Sequence, residues 1–289
     1  MKGTDGVIPD ACEPVCPEDV RPSVKDLIQD HRTAIDELTR LVADHPLYEP
    51  QKHDDLFVLR YVLSHKKKMK AAVKALKHTL EFRAKHKLDE KDIRDTLPHT
   101  YPSGPLREYW DLRCPGESLI CTLPDRQRGS VLFLDPGMMV PGTSNQMTKE
   151  VWSEAFYKSQ EWGFQWLDYV TRTTGRLTKQ TRLMNLEHVG FKSTHRKDIK
   201  WDGAIMNEME DVYPQMLGAI YCCNAPTIIN VLWGIAKKIM PKRVVEKFNI
   251  VDPEKNPHDR DAILQYISVS ALPTMFGGEN TIPPSQWKF

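Results

Sequence analysis

The sequence predicts an α/β fold, with a helical N-terminal cap followed by a layer built on a mostly parallel sheet. Three observations carry that expectation. Residues 22–97 place their apolar side chains at helical spacing, and from Ser118 onward short β-rich runs alternate with helical stretches. The third is residues 227–240, which are apolar around much more of a helix circumference than a surface helix requires. A chain of 289 residues, 40% apolar and 27% charged, is long enough for one large or two modest domains with a substantial core.

Taken in order, residues 1–21 carry acidic residues and prolines, and read as a flexible tail. They lack the basic start and apolar run of a secretory signal, so a cytoplasmic protein is expected. Ser23 with Asp26 forms a capping pattern. Val24, Leu27, Ile28, Ala34, Ile35, Leu38, Leu41 and Val42 then follow at helical spacing as far as His45-Pro46. A second helix begins near Asp54 with Leu56, Leu59, Tyr61 and Leu63; a third covers 69–85 with Ala72, Val73, Leu76, Leu80 and Phe82. These make a helical domain over 22–97. Pro98, Pro102, Gly104 and Pro105 mark 98–117 as a linker. The α/β domain spans 118–280, with strands expected at 119–123, 131–135, 182–186, 219–223 and 248–251. Helices are expected between them at 148–172, 195–211 and 227–240, and residues 281–289 form a C-terminal tail.

Composition narrows the function. Forty Lys and Arg against 39 Asp and Glu give no global field for nucleic acid. No window reaches the 18 or so apolar residues of a spanning helix, so any membrane contact is peripheral. Cys12, Cys16, Cys114, Cys121, Cys222 and Cys223 are expected as free thiols. No catalytic constellation emerges: there is no G-x-S-x-G elbow, no H-E-x-x-H and no dinucleotide fingerprint. The run Gly190-Phe191-Lys192-Ser193-Thr194 imitates a phosphate loop but has Phe where the glycine before Lys belongs. His188 beside Glu187 reads as a solvated strand end, and no metal site is expected. The marked basic cluster is Lys66, Lys67, Lys68 and Lys70, with Lys74 and Lys77 beyond it. Cations at a helix start oppose the macrodipole, whereas near an anionic leaflet each contributes about 1 kcal/mol.

The helix at 227–240 is the most informative element. At about 100° per residue its apolar side chains sweep roughly 200°, twice the usual stripe, so it has two apolar faces to satisfy. Full burial satisfies both, and so does a cavity on one side with a membrane on the other. Before it stands Val212-Tyr213-Pro214-Gln215-Met216-Leu217-Gly218-Ala219-Ile220-Tyr221-Cys222-Cys223-Asn224-Ala225-Pro226, and after it Leu272-Pro273-Thr274-Met275-Phe276-Gly277-Gly278. With Leu59-Arg60-Tyr61-Val62-Leu63, Phe82-Arg83 and the charged turn at 125–130, these runs resemble the CRAL-TRIO lipid-binding family. That family includes phosphatidylinositol transfer proteins, cellular retinaldehyde-binding protein and the tocopherol transfer protein.

The resemblance implies a CRAL-TRIO lipid-binding domain behind its helical N-terminal domain. An apolar cavity, closed by a gate helix, would hold a single lipid, which the protein transfers or presents between membranes. Phosphatidylinositol or another phospholipid is the first candidate ligand. A lipid-sensing tether or scaffold that moves nothing, or a carrier of a neutral isoprenoid or sterol, is the alternative. The expected lining is Leu132, Leu134, Met184, Leu186, Ile220 and Cys222 from the strands and Ile228, Leu232, Ile235 and Ile239 from the gate, with Lys237 on the headgroup. Ile229, Trp233, Ala236, Met240 and Lys238 would meet the membrane, and Lys66, Lys67, Lys68 and Lys70 its anionic surface. No cofactor beyond the bound lipid, no nucleic acid and a monomer are expected, peripheral on membranes only transiently. Two positions depart from the phosphatidylinositol-binding relatives: His65 stands where they carry a basic residue, and Ala204 near their acidic one.

Overall fold

Helix starts in the N-terminal part are set by short polar side chains, and its apolar positions then meet in one cluster. The computed structural model describes residues 21–66, 68–95, 102–115, 123–125, 129–238, 240 and 242–281. The stretch expected as one helix over 24–42 is two, α1 (Val24–Asp30) and α2 (Arg32–Val42), broken at His31. Ser23 Oγ accepts from the Asp26 N–H at 3.3 Å, and Asp54 Oδ1 accepts from the Phe57 N–H at 3.0 Å to start α3 (Asp55–His65). With α4 (Met69–Lys85), these helices bury Ile35, Leu38, Leu59, Tyr61 and Leu76 in a common core.

The segment expected as a linker contains a helix, α5 (Pro105–Arg113). Pro105 occupies the first turn behind Gly104 at φ +84°, so the residues that read as chain breakers are in fact a helix start. Leu106, Tyr109, Trp110 and Arg113 fall on one buried face against α6 (Lys149–Thr174), where the Tyr109 and Trp152 rings meet edge-on at 5.3 Å.

The sheet runs in the order β1 (Leu123–Asp125), β2 (Gly129–Leu134), β3 (Gln180–Asn185), β4 (Leu217–Cys223) and β5 (Phe248–Ile250). β1 pairs antiparallel with β2, and every later pairing is parallel. Strands are therefore added in one direction. Right-handed crossovers then put their helices on a single side of the sheet: α6, α7 (Arg196–Glu208) and the pair α8 (Ile229–Ala236) and α9 (Lys242–Val245). The register sets Leu132 beside Arg182, Leu134 beside Met184, Met184 beside Cys222 and Arg182 beside Ile220, so these side chains share that covered face. On the opposite face Phe133, Leu183 and Cys223 pack under α10 (Pro257–Leu264), an element the sequence reading had not singled out, and under Leu272 and Phe276.

Two glycines permit this packing. A Cβ on Gly163 of α6 would lie 2.9 Å from Met216 Cε and 3.0 Å from Gln180 Nε2, so the helix approaches β3 closely only because that position is bare. A Cβ on Gly278 would lie 1.9 Å from the Leu272 carbonyl oxygen, which gives the Leu-Pro…Phe-Gly-Gly ending a structural cause.

Arginines join the cap to α6. Arg83 donates to both carboxylate oxygens of Glu161 at 2.9 Å, and Arg60 meets Asp168 at 2.9 Å, while both guanidinium groups lie over the Phe164 ring. The tails expected at 1–21 and 281–289 lie outside the described residues except at Arg21 and Thr281.

Candidate functional site

The apolar positions expected to floor a cavity are brought together. Met184, Leu186, Ile220 and Cys222 form one cluster, in which Ile229 of α8 and Val244 of α9 close over the strands beside Phe248. Leu132 and Leu134 share the face, and Leu134 also packs toward the α6 side. Burial pushes the Cys222 thiol up to about 12, as befits a side chain sealed under apolar neighbours. Cys114, Cys222 and Cys223 are free and buried.

α8 is shorter than the expected 227–240. Thr227 and Ile228 belong to the turn after Asn-Ala-Pro, where the Ile229 N–H donates to the Pro226 carbonyl at 2.8 Å. At the other end Met240 precedes Pro241, a position that disfavours helix. The faces also differ from expectation. Ile229, expected toward the membrane, points onto the strands, and Ile228 is half-buried. Trp233 stacks obliquely on Phe248 with ring centroids 4.6 Å apart, and Val231 is 57% exposed. Met240 is half-buried, and Lys237 and Lys238 are both exposed beyond the end of the helix. The side chains of Leu232, Ile235 and Ala236, and the whole of Ile239 and Lys67, lie outside the described residues. Lys66, Lys68 and Lys70 are exposed around the start of α4.

Beneath the N-terminal ends of β3, β4 and β5 lies a cavity of about 380 Å³ between the sheet, α6, α7 and α9. Its apolar wall includes Phe156, Met206, Met209 and Met216, and its polar wall includes Lys179, Arg182 and Lys247. Arg182 donates to Gln180 Oε1 at 2.8 Å and to Gln160 Oε1 at 2.7 Å, both neutral amides. Desolvation pulls the guanidinium down to about 10, so it remains charged at neutral pH. Lys247 donates to the Leu217 carbonyl and is brought down to about 8, by desolvation first and then by Lys179, Arg182 and Arg243. At the rim Arg243 binds Glu210 at 2.8 Å and Asp211 at 2.7 Å. His65 Nε2 lies 3.4 Å from Asp211, so the residue standing at the relatives' basic position joins this network. Sequence reasoning had passed over Arg182 and Lys247; a lone cation within the β3 alternation was the available signal for the first.

The signature residues around α8 hold the frame. Asn224 sits at φ +54° and donates to Asn185 Oδ1 at 2.9 Å and to the Met275 carbonyl at 3.0 Å, tying the end of β4 to β3 and to the Gly-Gly ending. Asn185 in turn donates to Asp135 Oδ2 at 2.8 Å. His188 and Glu187 are exposed, 4.0 Å apart. Among the described residues no group of three His, Cys, Asp or Glu could hold a metal ion, and no helix is long and apolar enough to cross a membrane.

Residues 118–278, more than half of the chain, match the family model described as the CRAL/TRIO domain. A solved structure described as the crystal structure of Sfh5 superposes with a TM-score of 0.50 over 81% of each chain at 14% identity, a likeness of fold. Among curated proteins, Protein real-time of Anopheles gambiae is 27% identical over 96 residues, and that of Drosophila melanogaster 27% identical over 99. Each alignment takes in 33% of this chain and 14% of the relative, so the chain spans only a small part of those proteins' length.

Proposed function

Because the chain belongs to the CRAL/TRIO family, whose proteins are in general lipid carriers rather than enzymes, we propose that it holds one lipid between the sheet and α8 and moves it between membranes. The observation that carries this reading is the apolar face of Met184, Leu186, Ile220 and Cys222, covered by a short helix that leaves Val231 exposed on its outer side. Val231 and, at the sheet edge, Ile250 are more than half exposed. An outer surface of this kind suits a membrane that shelters it while α8 swings away. Lys66, Lys68 and Lys70 add an electrostatic contact with an anionic leaflet.

The energetics make a carrier useful. Moving two acyl chains with roughly thirty methylenes into water costs about 24 kcal/mol at about 0.8 kcal/mol each, so spontaneous desorption is very slow. A protein cavity that replaces the bilayer removes most of that barrier without covalent chemistry. The cavity of about 380 Å³ lies at the small end of ligand sites and is walled by α9 rather than α8, so a two-chain lipid needs room beyond it.

Lys237 and Lys238 are exposed, which supports a role at the membrane surface for both. The ligand we favour is a phospholipid, phosphatidylinositol among the candidates, because cations line the cavity. A tether that senses lipid without moving it is the second reading, supported by the longer curated relatives in which the matched stretch is a small part. Vesicles separate the two: a carrier delivers labelled lipid from donor to acceptor vesicles, whereas a tether binds one population and delivers nothing.

A further inference from the structure

The N-terminal segment is anchored beside the mouth of the cavity. The Val24 N–H donates to the Gly175 carbonyl at 2.9 Å, Ser23 bridges Arg176 in the antiparallel sense, and the Leu177 N–H donates to the Pro22 carbonyl at 2.9 Å. Arg21 continues the series: its Nη1 donates to Thr178 Oγ1 at 2.7 Å, and its carbonyl accepts from Arg176 at 3.2 Å. In an antiparallel register each step back toward the N-terminus advances the partner by one residue. That direction leads from Thr178 to Lys179, which is exposed and lines the cavity.

The mouth lacks counter-charge. Among the described residues Lys179, Arg182 and Lys247 form no ion pair; Arg182 donates to the Gln180 and Gln160 amides and Lys247 to the Leu217 carbonyl. Lys66 lines the same cavity, whereas the cavity's carboxylates are engaged, Glu210 with Arg243 and Glu246 near Lys242. The missing charge stands on the other side of the anchor. Residues 1–20 hold Asp5, Asp10, Glu13, Glu18 and Asp19 against Lys2 alone. Asp19 and Glu18 follow Arg21 within about 10 Å of extended chain, at about 3.3 Å per residue, so both come within reach of Lys179.

We propose that residues 1–20 fold back over this mouth as an internal competitor for it, with Glu18 and Asp19 set on Lys179 and Lys247. The effect on loading rests on the lipid-carrier reading: lipid enters slowly while the segment is in place, and an anionic leaflet that draws on the same cations displaces it. Ion pairs at an exposed mouth are individually weak. Tethering at Arg21 offsets that weakness, because a short linker holds the acidic segment at an effective concentration of about millimolar. Screening by salt then makes the contact reversible. The apolar members of the segment, Val7, Ile8, Val15 and Val20 among them, suit the wall of Phe156, Met206, Met209 and Met216 behind the cations.

The test treats the full chain with a water-soluble carbodiimide, which joins a carboxylate to a lysine amine in contact with it through an amide bond. The monomeric product is digested and read by mass spectrometry. A peptide from residues 1–20 joined to Lys179 or Lys247 is expected at low salt, with a yield about threefold or more lower at about 1 M salt, where screening reaches in to about 3 Å. In parallel, the full chain carrying Asp5→Asn, Asp10→Asn, Glu13→Gln, Glu18→Gln and Asp19→Asn takes up a fluorescent phospholipid from phosphatidylcholine vesicles. Its uptake should be about threefold or more faster than that of the unaltered chain at low salt and equal to it at high salt. Joining only to other lysines or only between two copies, or lipid uptake that the five substitutions leave unchanged, would overturn the proposal and leave the carrier standing. Joining to Lys179 or Lys247 with no uptake of lipid by either form would keep the contact and remove the carrier.

Discussion

The contact between Trp233 and Phe248 is where the packing of α8 on the sheet can be weakened without disturbing the frame. The rings lie 4.6 Å apart with 45° between their planes, and Phe248 sits on the edge strand β5. Phe248→Leu keeps most of the apolar volume and removes the ring pair, a loss of about 0.5–1.5 kcal/mol beyond area burial. If α8 leaves the strands during lipid exchange, the pair exists only in the closed form. The substitution then favours the open form by a factor of about 2–13, from the same energy. Fluorescent lipid transfer between vesicles should accelerate by that factor wherever opening limits the rate, and Trp233 emission should shift toward that of a wetter indole. An unchanged or slower rate, in a variant whose thermal melt remains cooperative, would refute the idea that α8 moves against β5.

Other expectations follow from the same geometry. If α8 meets the hydrocarbon edge, Trp233→Glu sets a charge there and should slow transfer of every lipid while leaving the far-ultraviolet circular dichroism intact; transfer at the original rate would make that side chain mere packing. Lys237→Ala should lower transfer of anionic and zwitterionic lipids alike, modestly and less at high salt, as a docking charge does; loss confined to anionic lipid would return it to the headgroup. Glu161→Ala strips Arg83 of its bidentate partner in a buried site and should destabilise the protein by about 3–5 kcal/mol in urea titration, with Glu161→Gln milder. Asp211 is held down at about 2 by its hydrogen bond with His65, and against desolvation by Arg243 as well. A depressed carboxylate contributes stability above its unfolded value of 3.8 and loses it as pH falls toward about 2, so Asp211→Asn should flatten the stability curve in that window.

Much of the architecture was legible because alternation and helical spacing are local consequences of burial. The run 69–85 reads as a helix from Ala72, Leu76 and Leu80 and is α4 with those bounds. Leu132, Leu134, Met184, Ile220 and Cys222 were expected together from the family resemblance along with short apolar runs, and the parallel register sets them on one face. What escaped depends on partners remote in sequence. Pro105 behind Gly104 looks like a break until α6 supplies a surface for Leu106, Tyr109 and Trp110. Arg60 and Arg83 read as family markers, and only the packed chain shows them clasping Phe164 and pairing with Asp168 and Glu161. The arc on 227–240 assumed one continuous helix; the turn at Thr227 and Ile228 changes which side Ile229 presents. Arg182 was missed because apolar periodicity is scored on apolar residues, and a cation inside a strand carries meaning only once its neighbours are known to be amides and other cations.

Transfer between two vesicle populations bears most directly on the central claim. Donor vesicles carry a self-quenched fluorescent phospholipid and acceptors carry none. Catalytic amounts of the protein should raise the rate of dequenching in proportion to protein concentration, and each protein molecule reisolated from the mixture should contain one lipid. Dequenching no faster than the spontaneous background, from protein that binds the vesicles and comes away without lipid, would contradict the account.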